Sequence, residues 1–142
     1  MNWKNNEKEL FDYLKQNYIS DLEWSDGDYS FHDCYSLQYN CDIELKCRNK
    51  HYDNLIIEKA KYDRLLERSA KNDTLPVYIC QTPTGVFGFN LGKLTEPQWE
   101  VRGMPKTSHF SNRQFVDKEV GYLHIDDGKR YDWNRIHITK TT

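Results

Sequence analysis

The sequence predicts an α/β protein in which a mixed central sheet is flanked by helices. Three observations carry this. Two stretches, 3–18 and 52–69, repeat apolar residues at helical spacing. Between and after them lie short segments rich in branched and aromatic residues, bounded by the turn signals Ser25-Asp26-Gly27-Asp28 and Thr82-Pro83-Thr84-Gly85. Finally, 142 residues suffice for one domain with a sizeable core, and no repeat or linker divides the chain. The expected order is α-β-β-α-β-β.

In the first helix, Trp3, Leu10, Leu14 and Tyr18 share a face, with Phe11 beside them. Glu7 sits on the same stripe, where a carboxylate is costly without a partner. A plainer reading makes it a helix-end acid favoured by the dipole or reaching to solvent. Residues 29–37 read as a strand, Gln38-Tyr39-Asn40 as a short connection and Cys41–Cys47 as the returning strand of a hairpin. Arg48-Asn49-Lys50-His51 is a basic link. In the second helix, expected over 52–69, Leu55, Lys59, Tyr62, Leu65, Leu66 and Ser69 form a mostly apolar face that includes Glu58. Residues 75–80 and 86–90 read as the last strand pair of the core.

Past Gly92 the pattern weakens. Pro97, Gly103 and Pro105 interrupt 94–110, and 112–123 reads as a short helix running into a strand. Asp126-Asp127-Gly128 is a turn, and Ile136-His137-Ile138 reads as a final strand. The expectation is a single domain over 1–142, with a core over 1–91 and an irregular C-terminal extension over 92–142.

Composition narrows the function classes. Net charge is −2, 30% of residues are charged, and 10 Tyr, 6 Phe and 4 Trp argue against disorder. No apolar run is long enough to span a bilayer, and no apolar stretch follows the first charges as a signal peptide requires. Cys34, Cys41, Cys47 and Cys80 form no C-x-x-C pair, so they read as reduced core cysteines of a cytoplasmic protein rather than zinc ligands. The histidines are scattered, which disfavours a histidine-built zinc centre. The near-neutral charge gives no general attraction to nucleic acid, so any such binding must come from a local patch.

The stretch Cys41-Asp42-Ile43-Glu44-Leu45-Lys46-Cys47 concentrates the unusual chemistry. Strand alternation sends Asp42, Glu44 and Lys46 to one face and Ile43, Leu45 and Cys47 to the other. A two-residue hairpin loop sets Asp33 opposite Glu44 or Lys46, whereas a three-residue loop turns it to the wrong face. In that second case Asp42 or Asp28 becomes the candidate acid.

An acid in one strand followed by Glu44-x-Lys46 in the next, after a helix and before another, resembles the PD-(D/E)XK nuclease superfamily. The likeness covers residues 1–91, and the proline of the motif is absent, since His32 precedes Asp33 and Cys34 follows it. The resemblance implies a restriction-endonuclease-like core. It further implies a small stand-alone, phage-like nuclease that hydrolyses phosphodiesters of DNA, with RNA also open and a homodimer compatible. Asp33, Glu44 and the Leu45 carbonyl would hold Mg²⁺, with Mn²⁺ as substitute. Lys46 would orient or deprotonate water, or stabilise developing charge. Its neighbour Glu44 tends to keep it protonated and so favours the charge-stabilising role. Glu7 matches a first-helix glutamate aimed at the site. Glu58 and Tyr62 match a Q-x-x-x-Y motif with Glu in place of Gln. Lys50, Lys59, Lys61 and Tyr62 would contact nucleic acid, as would Lys106-Thr107-Ser108-His109.

Two other readings compete. One is a catalytically inactive module on the same fold that binds nucleic acid or protein. The other is a generic α/β protein in which Asp33, Glu44 and Lys46 are a structural ion pair set, with Lys46 guarding a sheet edge.

Overall fold

The computed structural model describes residues 7–25, 32–105 and 114–131. Trp3, Asp28, the 106–109 segment and the strand expected at 136–138 lie outside the described residues. The order is α1 (Glu7–Asn17), β1 (Glu23–Trp24), β2 (Asp33–Ser36), β3 (Cys41–Cys47), β4 (Asn54–Glu58), α2 (Lys59–Asn72), β5 (Leu75–Thr82), β6 (Gly85–Asn90), β7 (Glu100–Pro105), β8 (Phe115–His124) and β9 (Lys129–Tyr131). Among the described residues the protein is α/β, with a mixed sheet and two α-helices. No described helix is long and apolar enough to cross a membrane.

The main sheet runs β1-β2-β3-β5-β6-β9, and a second sheet runs β4-β8-β7. All neighbours are antiparallel except β3 and β5, which are parallel. A parallel pair needs a crossover, and β4 with α2 supplies it. β3 is therefore central, with a hairpin partner on one side and a crossover partner on the other.

Each face of the main sheet buries its own core. On one face Leu10, Phe11 and Leu14 of α1 pack on Cys34, Ile43, Leu45 and Ile79. On the other, Tyr62 and Leu65 of α2 join Leu55, Ile57 and Leu123 of the small sheet against Tyr78, Cys80, Phe87 and Phe89. The odd-numbered side chains of β3 serve the α1 core, which leaves Asp42, Glu44 and Lys46 on the α2 face. All four cysteines are free thiols, and burial raises the pKa of each.

Three expectations are corrected. Residues 54–58 form a strand, not the start of a helix. Leu55 and Ile57 alternate inward, and α2 begins only at Lys59. Alternate burial of the branched pair across β8 outweighs the helical spacing that the same residues also fit. Residues 115–124 are strand throughout, because their backbone pairs with both β4 and β7. The region beyond Gly92 is therefore not irregular: β7 and β8 build the small sheet, and β9 extends the main one. Pro105 is tolerated because it ends an edge strand.

Candidate functional site

The β2–β3 hairpin sets the geometry. Its loop is Leu37–Asn40, longer than the Gln38-Tyr39-Asn40 connection read from sequence. Asn40 adopts a left-handed conformation, φ 51°, and donates to the Leu37 carbonyl at 3.2 Å. Asp21 ties the loop down by accepting from Ser36 Oγ at 2.6 Å and from the Gln38 amide at 2.8 Å. An even loop length preserves facing, so Asp33 lies directly opposite Glu44.

The pairing also brings the two carboxylates close. The Leu45 amide donates to the His32 carbonyl at 2.9 Å, which makes 32 and 45 a hydrogen-bonded pair. Pairs alternate along an antiparallel ladder, so 33 and 44 form a non-hydrogen-bonded pair, the kind with the closer side chains. Like charges directly opposite are destabilising. Here both are also buried, Asp33 at 8% exposure and Glu44 at 2%. Burial pushes the Glu44 carboxyl up to about 8, and Asp33 beside it adds to the rise, against the lowering by Lys61 and Arg64.

The arginines of α2 offset this charge. Arg64 Nη2 lies 2.6 Å from Glu44 Oε1 and 3.3 Å from Asp33 Oδ1. Arg68 Nη1 lies 2.8 Å from Asp33 Oδ2, its Nε 3.2 Å from Asp42 Oδ1, and its Nη2 donates to the Ile43 carbonyl at 3.2 Å. Asp42 also accepts from Asn72 Nδ2 at 3.1 Å and from Thr74 Oγ1. Lys61, Arg64, Arg68 and Asn72 follow one another at helical spacing. They thus form a donor stripe laid over the acid stripe of β3.

Lys46 shares the face of Glu44 but lies toward the other end of the sheet's polar strip. Among the described residues no carboxylate is in ion-pair contact with its Nζ. Burial lowers its pKa, Arg48 and Lys61 add to the fall, and Glu7 and Glu58 oppose it. Glu7 and Glu58 are the acids that oppose this fall, while Glu44 is in ion-pair contact with Arg64.

Glu7 opens α1 and accepts from the Cys47 amide at 3.0 Å. It also stands 3.7 Å from His32 Nε2. His32 occupies left-handed backbone space, φ 58°, immediately before Asp33. Burial lowers its pKa, with Lys61 and Lys46 adding to the fall and Glu7 opposing it. Glu58 is the last residue of β4 rather than a helix residue, and it meets Lys118 at 3.1 Å. Burial raises its pKa, but the hydrogen bond and charge of Lys118, with Lys46 and Lys61, outweigh burial and hold it low.

The remaining predicted residues divide. The Leu45 side chain is buried in the α1 core, so only its main chain is available to the site. Lys61 acts on Glu44, Lys46, Glu58 and His32 at once. Lys59 instead pairs with Asp63 at 2.7 Å and lies over the Trp99 ring. Tyr62 is 5% exposed and packs edge-on against Trp99, so its ring builds the core rather than meeting nucleic acid. Lys50 is exposed, away from the acid stripe, beside a groove over the small sheet. Arg64 and Arg68 were not singled out from the sequence. Two arginines four apart, on a helix that must cross an acidic strand, are the signal that identifies them.

Asp33 and Glu44 can be tested as a cation site. Among the described residues, no group of three or more His, Cys, Asp or Glu could hold a metal ion. Mg²⁺, however, is commonly held by one or two carboxylates together with water and substrate phosphate. The position that satisfies both carboxylates is marked by Arg64 Nη2. Its side chain is 42% exposed. Asp33 and Glu44 are thus two buried carboxylates that share one guanidinium.

The raised Glu44 pKa gives a pH signature. The folded chain keeps a proton on Glu44 that the unfolded chain releases near 4.5. That contribution to stability is full below 4.5 and is lost as pH rises through about 8. Glu44→Gln should flatten the fall in melting temperature across this window and exceed the wild type at its upper end. Identical pH slopes for the two proteins in thermal melts would show that Glu44 does not titrate there.

The chain matches no protein-family model, no curated protein and no solved structure.

Proposed function

We propose that the protein is a divalent-metal-dependent nuclease of the PD-(D/E)XK type, with Asp33, Glu44 and Lys46 at its centre. The observation that carries this reading is the juxtaposition of two buried carboxylates, paired across adjacent strands, on the face that also carries a half-buried lysine with no contacting counter-ion among the described residues. A merely structural ion pair would bring Lys46 to Glu44, and here Arg64 fills that role instead.

Asp33 and Glu44 would hold the cation, and the Leu45 carbonyl is the third oxygen that the motif offers. When bound, the ion would neutralise charge at phosphorus and make water more acidic. Lys46, with its pKa lowered, is suited to exchange a proton at Nζ as well as to face developing negative charge. Lys61 adds positive charge beside both. Glu7 opposes the fall in the Lys46 pKa, and its contact with the Cys47 amide anchors α1 to the end of β3. With the two-residue β1 and the small-sheet strand β4 set aside, the remaining order α1-β2-β3-α2-β5-β6 and the parallel β3–β5 pair are compatible with a restriction-endonuclease-like core. Supercoiled, linear and branched DNA incubated with Mg²⁺ or Mn²⁺ tests the activity; RNA is the further substrate to try.

A second reading has its own observation. Arg64 and Arg68 already compensate Asp33, Glu44 and Asp42, as expected of an inactive binding module. Arg64→Ala separates the two. If the pair is a cation site, the variant should bind Mn²⁺ about tenfold or more tightly by calorimetry, because a competing charge has been removed. If the arginine is purely structural, the variant should lose stability and gain no Mn²⁺ affinity.

A further inference from the structure

We propose that a groove over the small sheet, adjoining the candidate site, binds single-stranded nucleic acid. The inference rests on nucleic acid being the substrate, but not on its cleavage. Residues directly opposite in an antiparallel pair share a face. The pairing of Ile56 with Tyr122 therefore places those side chains together, and Arg102 of β7 joins them through the Tyr122 hydroxyl. Over them lies a groove of about 690 Å³, within the range of ligand-binding clefts.

The lining combines two chemistries. Arg48, Lys50 and Arg102 supply positive charge, and none of them is ion-paired with a described carboxylate. The one acid of the lining, Asp53, already faces His51 Nε2 at 3.1 Å. Tyr52 is 62% exposed and Tyr122 38% exposed, so both present ring surface to the groove. Arg102 Nη1 donates to the Tyr122 hydroxyl at 3.0 Å, and that hydroxyl donates to Glu100 at 2.9 Å, which fixes the ring. Cations that track a phosphate backbone, with aromatic rings between them, are what an unpaired strand requires. In a duplex the base faces are hidden in the stack, so the tyrosines would have nothing to meet.

Arg48 of the groove lining directly follows the end of β3, two residues after Lys46, so the groove begins beside that end of the strand.

Fluorescence anisotropy of a labelled oligothymidylate of about 12 nucleotides, in EDTA so that nothing is cut, tests this. The single strand should bind more tightly than a duplex of equal length. Tyr52→Ala and Tyr122→Ala should each weaken binding roughly ten- to a hundredfold, with circular dichroism unchanged. Tyr52→Phe should retain it, because stacking needs only the ring. Arg102→Ala should reduce the slope of log K against log salt by about 0.7. Equal or tighter duplex binding, or wild-type affinity in Tyr52→Ala, would overturn the proposal. Duplex cleavage without single-strand binding would reject the groove and keep the nuclease. Tyrosine-dependent single-strand binding without cleavage would do the reverse.

Discussion

Lys46→Ala should reduce DNA cleavage by about a hundred- to a thousandfold, the usual loss when one charge-stabilising donor is removed. The fold should survive. Lys46 lies on the polar face of β3, so its removal opens no gap in the α1 core formed by Ile43 and Leu45. Burial disfavours its charge in the folded state, since its pKa falls below that of a free lysine. Taking that charge away should leave the melting temperature at neutral pH unchanged or higher. Lys46→Met, which keeps the stem, should behave alike. A nicking assay on supercoiled DNA with Mn²⁺, run beside thermal melts, reads both quantities. Wild-type cleavage by Lys46→Ala, with contaminating nuclease excluded, would remove Lys46 from the chemistry. A wild type that cuts neither DNA nor RNA would favour the binding module.

Arg68→Ala should have the largest effect on stability, about 3–5 kcal/mol. Arg68 joins β2 and β3 to α2 through Asp33, Asp42 and the Ile43 carbonyl. Without it Asp33 and Asp42, both buried, lose a shared counter-ion. For a chain of this size such a loss lowers the melting temperature by roughly 10–15 °C. Arg64→Ala should cost less, because Arg64 is more exposed and Glu44 can take up a proton instead. Adding Asp42→Asn and Asp33→Asn to Arg68→Ala should restore part of the loss. Chemical denaturation of the four proteins measures this. Additive losses without rescue would show that charge compensation is not what Arg68 supplies.

The hairpin and α1 were legible in the sequence because their apolar periods are unambiguous. Asp33 reached the right face because the loop holds an even number of residues, a matter of turn geometry that Gln38-Tyr39-Asn40 alone left open. Asn54-Leu55-Ile56-Ile57-Glu58 fits both periods, and only the partner strand, from Val120 opposite Glu58 to His124 opposite Asn54, decides between them. That distant partner, β8, was itself hidden, since Asp117, Lys118 and Glu119 break its apolar alternation. The arginines of the site were masked by their type. On a helix a cation usually marks the solvated side, and only the acidic strand below α2 gives Arg64 and Arg68 an inward purpose. The character of the face was therefore readable, whereas its electrostatic balance required the crossover.

The sheet borders bear on colloidal behaviour. Among the described residues the main sheet ends in β1, two residues long, and β9, three residues long. The free side of β4 is occupied at Ile56, whose carbonyl accepts from Arg48 Nη2 at 3.1 Å and from the Tyr78 hydroxyl at 3.4 Å. β7 carries Arg102 and closes on Pro105. Short, capped or charged borders offer little template for a second chain to add a strand. With 30% of its residues charged and such margins, the described fold offers few places for edge-to-edge aggregation.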